Sequence, residues 1–203
     1  MPPSSRDDIL RALRRTSLEE VPLPALDAPW TEYADCRQQF ADVLASVGGQ
    51  AVVVQSLTEL NAHLEHLPAY REARHVCSLI AGIRKANVDL DQVKDPHELE
   101  NLDFFIAPGA LAVAENAAVW VTDQAARHRV AYFIAQHMAL VVPGNALLSN
   151  LHQAYARLAF DRPHFGLFLS GPSKTADIEQ ALVIGAHGAR SLTVFLMEPS
   201  GTG

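Results

Sequence analysis

Residues Leu169 to Gly188, LSGPSKTADIEQALVIGAHG, decide how this chain is read. With the apolar run Phe165-Leu169 before it, the stretch predicts a strand, a turn at Ser170-Gly171-Pro172 and then a helix. Ser173 or Thr175 supplies the N-cap, and Asp177 puts negative charge in the first turn, where the helix dipole favours it. Ile178, Ala181, Leu182 and Gly185 fall at i, i+3, i+4 and i+7, so the spacing predicts one packed face on a helix over 176–185. Gly166 and Gly171 also have the interval of a phosphate-binding G-x-x-x-x-G-K-[ST] loop. Pro172 and Ser173, however, separate the second glycine from Lys174-Thr175, and a proline removes a backbone donor that such a cradle needs. The stretch is no ATP loop. A strand end, glycine turn and helix start is nevertheless where open α/β sheets bind ligands. Ser170, Gly171, Ser173, Lys174, Thr175 and Asp177 are therefore candidates for holding an anion, and a purely structural corner is the alternative.

The rest of the chain supplies further strands alternating with helices. Ala51-Val54, His75-Ile80, Asp103-Ile106, Val119-Val121, Met138-Val142 and Leu192-Met197 read as strands. Several are apolar on both faces, as a parallel sheet covered by helices requires. Thr31 is positioned to cap a helix over 32–47 that stops at Gly48-Gly49, Ser56 or Thr58 one through Leu67, and a third spans 146–158. The stretch 107–118 is ambiguous. Upstream, Ser5 precedes a short helix with an acidic first turn, and prolines 22, 24 and 29 make 16–30 an extended connection. The expected organisation is an N-terminal helix and proline-rich connection over 1–30 and a single α/β domain over 31–203. The tail 198–203 reads as frayed.

Apolar residues at 49% and charged residues at 19% exclude disorder of the whole chain, and a formal charge of −7 gives no basic footprint for nucleic acid or anionic membrane. No apolar run of about 18 residues or signal core is present, which points to the cytoplasm with no membrane insertion. Cys36 and Cys77 match no metal or redox spacing, and two thiols fall short of the four that an iron–sulfur cluster usually takes. The nine histidines form no ligand pattern, so no metal site is expected. His137, His187 and Gly188 border strands or turns and are candidate pocket-lining residues. Glu115-Asn116, between two apolar runs, is either an exposed hairpin turn or a carboxylate offered at a strand end as nucleophile or base.

Ser170-Gly-Pro-Ser-Lys-Thr-Ala-Asp-Ile-Glu-Gln-Ala-Leu-Val-Ile-Gly-Ala-His-Gly-Ala-Arg190 resembles the C-terminal signature of the LutC/YkgG family of LUD-domain proteins. Ala114-Glu115-Asn116-Ala117-Ala118-Val119-Trp120, Met138–Pro143 and Leu151-His152-Gln153-Ala154-Tyr155 match the same family in the same order, over roughly residues 75 to 197. The resemblance implies a three-layer α/β/α fold with a mostly parallel sheet, similar to the NagB/RpiA/CoA-transferase group, plus N-terminal helices. It also implies a part in bacterial oxidation of L-lactate to pyruvate, as an auxiliary subunit without cofactor beside iron–sulfur partner proteins. By likeness to CoA-transferases, Glu115 would instead be a nucleophile, with Asn116 and the Ser170–Thr175 loop holding an oxyanion or phosphate. A small-molecule sensor using that loop is the third implication. Where many members have glycine after the acidic pair, this chain has Ala117; if φ there is positive, the turn is weakened by about 1 kcal/mol.

Overall fold

The computed structural model describes residues 5–16, 21–25, 27–124, 126–160, 165–178 and 181–198. His164, the tail beyond Glu198 and parts of the proline-rich connection lie outside them. Helix α1 (Ser5–Arg15) carries acidic residues in its first turn and arginines in its last, and none of its residues is buried. Helix α2 (Cys36–Ser46) begins later than expected, because Asp35 and not Thr31 accepts the first free N–H groups, from Arg37 and Gln38. Residues 31–33 are otherwise engaged: the Thr31 carbonyl accepts Asn150 Nδ2 at 2.9 Å, and Tyr33 N–H donates to Ser149 Oγ. Strand β1 (Gln50–Val54) leads to α3 (Leu57–His66), where Ser56 Oγ accepts Glu59 N–H and Glu59 returns a carboxylate to Gln55 N–H. Pro68 opens the short α4 (Pro68–Glu72).

Strands β2 (Val76–Ser78) and β3 (Phe104–Pro108) follow, then β4 (Leu111–Val113), β5 (Ala118–Thr122), the four-residue α5 (Ala131–Ile134) and β6 (His137–Pro143). Next come β7 (Leu147–Leu148), α6 (Leu151–Arg157), β8 (Gly166–Leu169), β9 (Lys174–Ile178), β10 (Ala181–Ile184) and β11 (Ser191–Met197). The central sheet has the order β1-β11-β6-β3-β2 with every pairing parallel, so the expected α/β architecture with a mostly parallel sheet holds. Phe104, Ile106 and Phe195 face α3 and α4, while Phe105, Leu140 and Val194 face α2 with its Phe40 and Leu44. Runs apolar on both sides are thus explained by cover on both sides.

The α2 face also carries a second sheet, β7-β4-β5-β8, which the sequence did not announce. The ambiguous stretch 107–118 ends β3, forms β4 and turns into β5, and so supplies much of the central hairpin of this second sheet, while Leu147-Leu148, expected to be helical, pair instead with β4. The helix there begins only after Asn150, whose side chain accepts Gln153 N–H. Ala112 and Val119 point at the central sheet, and Trp120 points outward with Ala154 of α6.

The helix expected over 176–185 is not formed. Lys174–Ile178 and Ala181–Ile184 pair as an antiparallel hairpin, with Glu179-Gln180 outside the described residues. Thr175, Val183 and Ile184 are β-branched and suit extended backbone. Ser173 O accepts Gly185 N–H, and Ser173 N–H donates to Ala189 O, each at 2.8 Å, which closes the hairpin at its base. Among the described residues no helix is long and apolar enough to cross a membrane.

Gly109 joins the two sheets: a Cβ there would lie 2.4 Å from Val119 Cγ1 and 2.8 Å from Val142 Cγ2. Gly109→Ala is expected to destabilise the protein by about 1–3 kcal/mol through overpacking, read as a lower denaturant midpoint.

Candidate functional site

The Ser170–Ser173 turn folds against the amino ends of β6 and β11 and walls a cleft of about 220 Å³. Gly171 has φ +72, and a Cβ would stand 3.0 Å from Val47 O, so the turn can press on the end of α2 only as glycine. Pro172 is buried against Gly48. Across the cleft, a Cβ on Gly188 would be 3.1 Å from Ser173 Oγ and 3.2 Å from Phe133 O, so Gly188 admits the serine. The cleft is lined by Tyr132, Phe133 and Met138 together with Ser170, Ser173 and His187. Five sequence candidates therefore meet there: Ser170, Gly171, Ser173, His187 and Gly188.

Its chemistry is that of hydroxyls and an imidazole on apolar walls. Ser170 Oγ donates to Asn116 O at 2.6 Å, and Ser173 Oγ has no hydrogen-bond partner among the described residues. Tyr132 donates to Thr122 O at 3.1 Å; burial first, and then Asp123, pushes its phenol up to about 12, so it remains a donor. With the helix replaced by β9, the loop has no helix dipole, and the Ser173 N–H is already taken by Ala189 O. What remains for an anion is the Ser173 hydroxyl and Lys174, an exposed residue whose Nζ lies 3.1 Å from where a Gly171 Cβ would be, since the Ser170 hydroxyl is engaged with Asn116 O. Thr175 and Asp177 lie along β9, and Thr175 is outside the described lining of the cleft.

Glu115 and Asn116 occupy the turn between β4 and β5, next to the cleft but not lining it. Glu115 Oε1 accepts Leu151 N–H at 3.2 Å at the start of α6, and Glu115 N–H donates to Ser149 O. Asn116 Oδ1 accepts Ala118 N–H while its carbonyl takes the Ser170 hydroxyl. Ala117 is the one described non-glycine with positive φ, at 53°, and is fully buried. The strain expected for alanine at this position is present, at about 1 kcal/mol.

His137 stands apart, in a different cleft at the amino ends of the strands. Its Nδ1 lies 2.8 Å from Ser191 Oγ, and its pKa is lowered by burial and then by Arg190, with Asp103 opposing. Sequence reasoning missed Tyr132, Phe133 and Met138, since nothing local separates a cleft-lining aromatic from a core one. Among the described residues no three His, Cys, Asp or Glu side chains converge to hold a metal ion.

Comparison with known proteins gives a family match and a set of relatives. Residues 78–197 match the LUD domain family. Lactate utilization protein C from Geobacillus thermodenitrificans is 28% identical over 91% of this chain and 76% of its own length. The protein of the same name from Geobacillus kaustophilus is 26% identical over the same shares. A crystal structure of a DUF162 family protein from Deinococcus radiodurans covers 80% of this chain and 96% of its own at a TM-score of 0.59 and 21% identity, a likeness of fold.

Two outcomes follow from the geometry. Ser170→Ala removes the hydroxyl that ties the cleft loop to the Asn116 turn and is expected to lower stability by about 0.5–1.5 kcal/mol in chemical denaturation. The lowered pKa of His137 means that the unfolded chain takes up this proton first, so its contribution to stability is complete above about 6.5 and is lost as pH falls from there through the lower folded value. Thermal midpoints across pH 8 to 5 are expected to show a shallower acid decline in His137→Asn than in the parent protein.

Proposed function

The chain belongs to the LUD domain family, and from that membership we propose that it serves in bacterial L-lactate utilisation, as a component that carries no iron–sulfur cluster itself. The observation that carries this reading is that the similarity to proteins named lactate utilization protein C runs over 91% of the chain. Oxidation of L-lactate to pyruvate releases two electrons and two protons, and in this reading the electrons pass to clusters on partner proteins. The cysteines support that division. Cys77 is buried, and desolvation together with Asp89 pushes its thiol up to about 12, the opposite of the thiolate a cluster requires. Cys36 makes its contacts with Ser149 Oγ and the Tyr33 carbonyl.

A second reading, an anion-binding sensor, is favoured by the Ser173 hydroxyl and the Lys174 ammonium beside Gly171. In it the 220 Å³ cleft takes a small carboxylate such as L-lactate or pyruvate.

Deletion of the gene is expected to abolish growth on L-lactate, and the tagged protein is expected to co-purify with the iron–sulfur proteins of the same system. Normal growth together with failure to co-purify removes the first reading. A thermal midpoint that rises with L-lactate or pyruvate, and no longer rises in Ser173→Ala, selects the second.

A further inference from the structure

The face of the central sheet turned toward α3 and α4 is apolar except at one corner. Strand register places Phe104, His137 and Ser191 side by side in one row. Two residues further along, Gln50, Thr193 and Ala139 form the next row. Alternation along a strand puts both rows on the same face, where Phe104 and Ala139 belong to the apolar core. Four polar side chains therefore sit together where the rest of the face is Val52, Val54, Ile106, Val141 and Phe195.

They border a cleft of about 350 Å³ whose other wall is Leu67, Pro68 and Ala69 at the start of α4. Thr193 is only 5% exposed, and its hydroxyl has no hydrogen-bond partner among the described residues. Thr193 is one of the residues that line the cleft. Valine of the same shape would spare the desolvation of an unpaired hydroxyl. Ser191 Oγ holds His137 through Nδ1, which leaves Nε2 without a partner among the described residues. The Gln50 amide likewise has no hydrogen-bond partner among the described residues. Among the described residues no Lys, Arg, Asp or Glu lines this cleft.

We infer that this corner is a binding site for an uncharged polyol of monosaccharide size. Its apolar C–H face would lie on Leu67–Ala69 and Phe104, and its hydroxyls would meet Thr193, Gln50 and His137, each able to complete a hydrogen bond it now lacks. The lining offers hydroxyls, an amide and an imidazole but no ionic partner, so a neutral ligand loses least on leaving water; Arg190, which acts on His137, lies outside that lining. The site is separate from the Ser170–Ser173 cleft: Gln50, His137, Ser191 and Thr193 lie on the opposite face of the sheet from Met138, although Leu192 borders both clefts.

The test is a 1H–15N NMR titration of the full chain with D-glucose, D-xylose and myo-inositol, with L-lactate and inorganic phosphate as charged comparators. At least one neutral polyol is expected to give saturable shifts centred on Gln50, His137 and Thr193, with no such shifts from the anions. Thr193→Val is expected to weaken binding several-fold to about tenfold while the thermal midpoint holds or rises. Gln50→Ala, an exposed change at the edge of the sheet, is expected to weaken it too and keeps the test valid if the threonine variant folds poorly. Absence of saturable shifts with all three polyols, undiminished binding in the variants that fold, or equal binding of L-lactate at the same residues overturns the proposal.

Discussion

Close approach of two sheets is the constraint on which the rest of this protein depends. The layer between the central sheet and β7-β4-β5-β8 is built largely from small side chains, with Ala107, Ala112, Ala114 and Ala117 beside Val119 and Val142. Gly109, at the crossing from one sheet to the other, has no room even for a methyl group. Small residues let the backbones come near enough for the turn after β4 to be buried, and burial makes its hydrogen bonds obligatory.

That turn is where the candidate functional elements are tied together. Glu115 reaches forward to the start of α6, the Asn116 carbonyl holds Ser170, and Ala117 supplies the left-handed residue between them. The loop that walls the cleft is thereby fixed from one side by the second sheet and from the other by α2 through Gly171 and Val47. A ligand entering the cleft meets a surface whose polar groups are already oriented, which lowers the ordering cost of binding. The segment 30–36 adds a clamp from outside: Trp30 stacks on His152 at 3.6 Å, and Gln153 donates to Glu32.

Legibility followed the range of the forces involved. The strands β1, β3, β6 and β11 were readable because a parallel strand covered on both faces must be a continuous apolar run, and such runs are visible one residue at a time. The cap at Ser56 was readable for the same reason, since its partner Glu59 is three residues away. The stretch 176–185 was misread because apolar residues at i, i+3, i+4 and i+7 also suit a hairpin whose bonds run between Thr175 and Val183 and between Lys174 and Ile184. The extended choice is reinforced from Ala189, beyond any local window. In the cleft, Ser170, Ser173, His187 and Gly188 were legible from one signature, whereas Met138 enters through the pairing of β6 with β11, more than fifty residues away in the chain.

The sequence by itself determined the class of fold, the cleft-walling loop as a candidate site and the kinship with lactate-utilisation proteins, because apolar periodicity, turn residues and long signatures are local properties. It also anticipated the strain at Ala117, since only the sign of φ was in question. Tertiary structure alone decided that the signature loop leads into a hairpin, that Glu115 is engaged at the start of α6, and that His137 lies on the other side of the sheet from His187. Those outcomes depend on which distant backbone supplies a hydrogen-bond partner and on which face each strand turns to its neighbours. Both are set only when the two sheets close on one another.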